Sequence, residues 1–158
     1  MHGFLFALTL ATALGAAVMG GVFYGFSVLV MKGLAKVPAP EAIRVMQSIN
    51  RSALTPAFMS VFMGTTLASA ALLVWSLVSW DGAYSGYVVA GSALYLVGSF
   101  ILTAGYHVPR NEALDKADDA QAQVLWQSYL PDWTRMNHVR GLASAAAGGL
   151  LIAALAVA

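Results

Sequence analysis

Cysteine is absent from this 158-residue chain, and charged residues make up only 9% of it. The lack of cysteine excludes disulfides, thiolate metal sites and a cysteine nucleophile. Soluble domains carry about 25% charged residues, so this scarcity of charge, with 59% hydrophobic residues, indicates an integral membrane protein. The chain also lacks a glycine-rich phosphate loop and a nucleophile elbow, so nucleotide-phosphate binding and serine hydrolysis have no support.

Four hydrophobic stretches account for most of the sequence: Gly3–Met31, Leu54–Trp80, Tyr84–Tyr106 and about Val139–Ala158. Each is long enough to cross a bilayer as a helix, which takes roughly 20 apolar residues. The first stretch lacks a basic leading region and is too long for a signal-peptide core, so we expect it to be retained. We predict an all-α four-helix bundle, with residues 1–158 forming a single transmembrane domain.

Positive charge lies on one side of these stretches only. Seven of the eight basic residues fall between the first and second stretch or between the third and fourth: Lys32, Lys36, Arg44, Arg51, Arg110, Lys116 and Arg135. The eighth, Arg140, lies just inside the fourth stretch, at the same end. By the positive-inside rule, both long loops are cytoplasmic and both termini lie outside, and we expect a bacterial inner membrane. Basic loops of this kind suit anionic lipid headgroups rather than nucleic acid.

The two polar loops resemble each other. Val37–Ile43 and Val108–Leu114 both follow a hydrophobic stretch and share a Val-Pro start and a Glu-Ala pair. The first loop then continues as an amphipathic stretch, and the second as a helical stretch to about Ser128. We predict two tandem helical hairpins of the same orientation, each with an amphipathic loop helix, which brings Asn50 and Asn137 together. Chance similarity of short segments is the alternative.

Small residues recur at helical spacing in two of the stretches. Gly21 and Gly25 do so in the first, and Gly141, Ala145 and Gly149 in the fourth. Such residues let helix backbones approach closely in lipid. They predict either packing within the bundle or a homo-oligomer formed through one of these glycine seams.

The third stretch carries a polar stripe at spacings of three and four: Ser92, Tyr95, Ser99, Thr103 and Tyr106. Polar side chains in lipid face the bundle interior. The stripe therefore predicts either hydrogen bonds between helices or one wall of a polar pocket that opens towards His107.

The last loop contains most of the residues able to do chemistry: His107, Asn111, Trp126, Tyr129, Trp133, Asn137, His138 and Arg140. If the fourth helix begins near Asp132, Trp133, Asn137 and Arg140 share one face. His138 heads the glycine seam, so we expect it to point inward, where an imidazole acts as a general base near neutral pH. The alternatives are interfacial anchoring for the aromatic residues and snorkelling to the interface for Arg140.

A metal or haem site at His107 and His138 is a further alternative. Glu112 and Asp132 are the carboxylates near them in sequence. The chain has neither an H-x-x-x-H nor an E-x-x-H spacing, so the pattern typical of a helical metal site is missing.

Four segments together resemble the anthrone oxygenase family of small four-span membrane proteins: Phe26-Ser27-Val28, Met46-Gln47-x-Ile49-Asn50, Val108-Pro109-x-Asn111-x-x-Leu114 and Trp126-x-x-Tyr129-x-x-x-Trp133-x-x-x-Asn137-His138-x-Arg140. The resemblance implies oxidation of an anthrone to an anthraquinone by dioxygen, without a metal or organic cofactor. The family often has Asn-Val-Pro where this chain has His107-Val108-Pro109.

The chemistry that the resemblance implies needs a base, hydrogen-bond donors for an oxyanion, and aromatic walls. We expect His138 as the base, Asn111, Asn137 and Arg140 as donors, and a substrate site lined by Trp126, Trp133, Tyr129, His107 and Asn50. The predicted function is a cofactor-independent membrane oxygenase acting on a lipophilic aromatic molecule. The alternatives are a non-enzymatic module that binds or transports a small molecule or lipid, and an assembly partner of another membrane protein.

Overall fold

The computed structural model describes residues 3–158, which form five helices and no strand. The helices are α1 (Gly3–Leu34), α2 (Ala39–Ser52), α3 (Pro56–Val78), α4 (Gly82–Lys116) and α5 (Asp119–Ala156). All but α2 are long and apolar enough to cross a membrane. The prediction of an all-α integral membrane bundle is confirmed.

The four long helices alternate in direction and form a ring. Helix α1 packs most extensively against α5, α5 against α4, α4 against α3, and α3 closes the ring against α1. Residues 35–55 and residues 117–118 therefore lie at the same end of the bundle, which we call the loop end. The basic side chains lie at the loop end as well, because both polar segments that carry them meet there.

Close packing of α1 against α5 depends on glycine. A Cβ atom added at Gly20 would lie 3.0 Å from the backbone nitrogen of Ala145, and one at Gly148 would lie 3.2 Å from the carbonyl oxygen of Ala13. Gly141 faces α1 as well, 3.4 Å from the Cβ atom of Phe23 by the same measure. Small residues thus bring these helices together within one chain, as expected for helices in lipid.

Only some of the residues in the predicted glycine seams lie at the contact between α1 and α5. A Cβ atom added at Gly21, Gly25 or Gly149 would meet nothing within 4 Å. On α5 the close contacts are made by Gly141 and Gly148, so the seam shifts by one residue from the predicted Gly149. Gly21, Gly25 and Gly149 make no such close contact with another described helix of this chain. The homo-oligomer through a glycine seam therefore stays a prediction.

Exchanging Gly20 for leucine is expected to destabilise the protein by about 1–3 kcal/mol, the usual cost of overpacking. The reason is that the added side chain meets the α5 backbone, which cannot move aside cheaply. Gly21→Leu, one position along and open to the surroundings, is the matched control and should leave stability unchanged. The free energy of unfolding in mixed micelles measures both, and equal effects would contradict the assigned packing.

Helix α2 covers the loop end. Its buried face joins the long helices in one hydrophobic cluster: Met31, Leu34, Ala42, Ile43, Met46, Leu114, Ala122, Trp126, Tyr129 and Trp133. Two polar contacts tie α2 to the end of α4. Gln47 Nε2 donates to the carbonyl oxygen of Leu114 at 2.9 Å, and Arg51 Nη1 donates to Asp115 Oδ1 at 2.6 Å. The amphipathic helix predicted for the first loop is therefore confirmed.

The second polar segment is helical, as predicted, but its helical residues extend α4 and α5 instead of forming a separate loop helix. The tandem relation of the two hairpins stays a prediction. Helix α4 continues to Lys116, and Asp118 caps α5 by accepting a 2.9 Å hydrogen bond from the backbone of Gln121. Pro109 does not stop α4 because a π-helical segment, Thr103–His107, precedes it and places the proline in the first turn that follows. A proline there removes no hydrogen bond that the helix needs.

Candidate active site

Three aromatic residues of α5 form a ladder inside the loop end. The rings of Trp126 and Tyr129 stack at 5.4 Å, and those of Tyr129 and Trp133 at 6.3 Å. The His107 ring continues the ladder, edge-on to Trp133 at 4.9 Å. All four side chains are buried. The alternative of interfacial anchoring for the three α5 aromatics is therefore wrong, because their rings pack inside the protein.

Asn111 fixes the position of two of these rings. Its Oδ1 atom accepts a hydrogen bond from the Tyr129 hydroxyl at 2.7 Å and another from Trp133 Nε1 at 2.9 Å. One amide oxygen has two lone pairs, so both are used. Asn111 thereby holds the end of α4 against the aromatic face of α5.

Asn137 connects α5 to α1. Its Nδ2 atom donates to the carbonyl oxygen of Phe23 at 2.6 Å and to Ser27 Oγ at 2.7 Å, and its Oδ1 atom accepts from Arg140 Nε at 2.6 Å. The side chain is fully buried. A π-helical segment of α1, Phe26–Val30, contains Ser27. Both long helices that border this region thus carry a π turn, a feature often found at functional sites.

Arg140 is a buried cation without a carboxylate partner. Only 7% of the residue is exposed. Its Nη1 atom donates to Thr103 Oγ1 at 3.2 Å, and its guanidinium carbon lies 4.0 Å from the centre of the Phe23 ring and 5.1 Å from that of Trp133. The two ion pairs found among residues 3–158 are elsewhere, Arg51–Asp115 and Lys116–Glu112. The two hydrogen bonds use two of five N–H groups, so the guanidinium retains donors for an anion.

His107 is the second unusual group. The residue is completely buried, and neither ring nitrogen has a hydrogen-bond partner within the described residues. The carbonyl of Met136 lies near the ring, short of hydrogen-bond geometry. A buried polar group without a partner is rare enough in proteins to need an explanation. We refer to Arg140, Asn137, Thr103, His107 and Trp133 as the Arg140 cluster.

His138 lies outside this cluster, so the prediction that it points inward is wrong. The residue is exposed, whereas its neighbour Asn137 is fully buried. It precedes Arg140 by two residues, which is about 200° around an α-helix. His138 and His107 therefore do not face one site. No group of three or more histidine, cysteine or acidic side chains placed to hold a metal ion occurs in residues 3–158.

Asn50 approaches the aromatic ladder rather than Asn137. Its side chain lies near the Tyr129 hydroxyl, and its buried Nδ2 atom has no hydrogen-bond partner among the described residues. Tyr129 precedes Asn137 by eight residues, or about 12 Å along the helix. The prediction that Asn50 and Asn137 meet is therefore wrong, because the two asparagines occupy different levels of the loop end.

The polar stripe of α4 faces the bundle interior as predicted. Ser92, Tyr95 and Ser99 are fully buried, and no hydrogen-bond partner for their side-chain hydroxyls lies within the described residues. Thr103 continues the stripe and makes the bond to Arg140. The stripe thus leads to the Arg140 cluster. Phe23 and Ser27 contact the cluster although the sequence analysis gave neither of them a site role; Ser27 lay only in a quoted motif.

A groove of about 260 Å³ opens between α4 and α5 at the loop end. We call it the loop-end groove, and it is lined by Arg110, Ala113, Leu114, Leu125, Ser128, Tyr129 and Asp132. Tyr129 is shared, because it lines the groove and its hydroxyl also donates to Asn111.

The α4 and α5 residues described above lie in a segment that matches a known protein family. The family model described as anthrone oxygenase matches residues 58–150, which is more than half of the chain. The chain belongs to the anthrone oxygenase family. The matched segment contains the α4 and α5 residues of the Arg140 cluster and of the aromatic ladder, while α1 and α2 lie outside it. Neither the curated proteins nor the solved structures gave a match.

Proposed function

We propose that this protein is a membrane oxygenase that oxidises a lipophilic, anthrone-like aromatic molecule with dioxygen, without a metal or organic cofactor. One observation carries the proposal. The Arg140 guanidinium is buried without a carboxylate partner among residues 3–158. The buried His107 imidazole, which has no hydrogen-bond partner in the same residues, packs on the same Trp133 ring. Unpaired polar groups inside a membrane protein are costly and usually mark function. Membership in the anthrone oxygenase family supports the reaction class.

The chemistry has simple requirements. The reacting carbon of an anthrone is a CH₂ group between two aromatic rings and opposite a carbonyl. Removal of one proton moves negative charge onto the carbonyl oxygen and gives an electron-rich anion that reacts with dioxygen. Overall, two C–H bonds break and one C=O bond forms. One oxygen atom of dioxygen enters the product and the other leaves as water, so atoms and electrons balance.

The residues divide these tasks. His107 is the base, because its ring nitrogens have no hydrogen-bond partner among residues 3–158. Arg140 stabilises the charge that develops on the carbonyl oxygen, a contribution that is large in a dry site. Asn137 is a positioning residue rather than an oxyanion donor, because its Nδ2 atom is occupied by α1 and its Oδ1 atom holds Arg140. Asn111 likewise positions Tyr129 and Trp133.

The reaction is proposed for the loop end of the bundle. By the positive-inside rule we expect that end on the cytoplasmic side, in a membrane that we propose is a bacterial inner membrane. A lipophilic substrate reaches it from the bilayer, and dioxygen, which is apolar, dissolves in the same phase. The aromatic ladder provides the apolar surroundings that such a substrate requires.

Oxygen uptake by the purified protein tests the proposal. In lipid nanodiscs supplied with anthrone, the chain is expected to consume one dioxygen per anthraquinone formed, with one labelled atom from ¹⁸O₂ in the product. Empty nanodiscs provide the uncatalysed rate, and chelator treatment of the protein should leave its rate unchanged. A rate equal to that of empty nanodiscs would reject the oxygenase. A loss on chelation that added metal restores would reject the cofactor-independent reaction.

A further inference from the structure

The loop-end groove has the chemistry of a binding site for a flat, oxygen-bearing aromatic molecule. Leu114, Leu125 and Ala113 supply apolar walls. Arg110 provides hydrogen-bond donors at the rim, and Asp132 provides an acceptor. Pockets for drug-sized ligands measure about 300–1,000 Å³, so a groove of about 260 Å³ suits one small ligand of two or three rings.

The polar group at the rim is free to meet a ligand. The Arg110 guanidinium stacks on the Tyr106 ring at 3.6 Å, and its one hydrogen bond, to the Tyr106 carbonyl oxygen, is long at 3.4 Å. No carboxylate pairs with it among residues 3–158. A cation that stacks on an aromatic ring is held in place while its N–H groups remain available.

The groove and the Arg140 cluster are joined by one side chain. Tyr129 borders the groove, and its hydroxyl shares the Oδ1 atom of Asn111 with Trp133. Trp133 in turn contacts His107 and Arg140. Displacing the Tyr129 side chain would therefore open the groove onto Trp133, the cluster member on which Tyr129 stacks.

We propose that the loop-end groove is where the aromatic substrate first binds, with Tyr129 separating this outer site from the Arg140 cluster. The inference rests on the proposed function for the identity of the ligand. It adds a second, outer site and assigns Arg110 and Ala113 to recognition. The ligand class is a planar aromatic ketone with hydroxyl groups at its edge, whose oxygens pair with Arg110 and whose hydroxyls pair with Asp132.

Binding of a hydroxylated anthraquinone, a probe that does not turn over, tests the outer site. Quenching of tryptophan fluorescence in nanodiscs gives Kd, with empty nanodiscs as the control for partition into lipid. Ala113→Phe fills the groove and is expected to weaken probe binding at least about tenfold. Ala90→Phe, at an exposed alanine of the same helix away from the groove, should change Kd less than about twofold.

A second pair of variants keeps the test decisive if Ala113→Phe misfolds. Arg110→Gln is expected to weaken probe binding about tenfold, whereas Arg135→Gln, at another exposed arginine, leaves Kd unchanged. Absence of saturable binding to the wild-type chain, or unchanged Kd in both groove variants, would overturn the inference.

The two proposals fail separately. If the groove variants lose probe binding while no chain oxidises anthrone, the outer site stands and the oxygenase falls. If anthrone is oxidised and the groove variants retain wild-type KM and probe affinity, the oxygenase stands and the outer site falls.

Discussion

His107→Gln is expected to reduce anthrone turnover about 10²- to 10⁴-fold, the usual contribution of a positioned general base. Glutamine is close to histidine in size but is not a base. His107 makes no hydrogen bond within the described residues, so the exchange breaks none. Anthraquinone formation by nanodisc-embedded protein measures the effect, with thermal unfolding recorded on the same samples.

His138→Gln is the matched control. The exchange is chemically identical and lies on the exposed side of α5. Turnover should stay within about twofold of the wild-type rate, because the residue does not reach the Arg140 cluster. Equal losses from both variants, or a loss confined to His138→Gln, would remove His107 from the role of base.

The choice between these two histidines shows what the sequence was able to predict. The hydrophobic stretches follow from their length and composition, and the shared face of Trp133, Asn137 and Arg140 follows from helical spacing; the structure confirms both. His138 was assigned from a second periodicity, the glycine seam that ends at Gly149. The face that carries Asn137 and Arg140 and the face that carries His138 point in different directions on α5. The close contact with α1 is made by Gly148 and not by Gly149.

Other features depended on contacts that leave no pattern in the sequence. Asn137 is held by the carbonyl oxygen of Phe23, and any residue supplies such an acceptor. The extent of α4 was underestimated because polar residues follow Tyr106, and polarity alone does not distinguish a loop from a helix that leaves the membrane. The π turn at Thr103–His107 rotates His107 towards Trp133, and periodicity at 3.6 residues does not foresee it.

Arg140→Met is expected to reduce turnover about 10²- to 10³-fold, the loss typical of removing one oxyanion donor. Methionine retains an unbranched apolar chain in place of the arginine stem but offers no N–H group. Arg135→Met, at an exposed arginine of the same helix, is the control and should leave turnover unchanged.

The same variant separates a catalytic role for Arg140 from a structural one, because the two predict opposite changes in stability. The exchange leaves Asn137 Oδ1 without its donor, which costs about 1–3 kcal/mol for a buried acceptor. It also removes an unpaired buried cation, whose desolvation costs several kcal/mol. The second effect is larger, so Tm in nanodiscs is expected to stay level or to rise while turnover falls. A fall in Tm together with retained turnover would mean that Arg140 holds the bundle together and takes no part in the reaction.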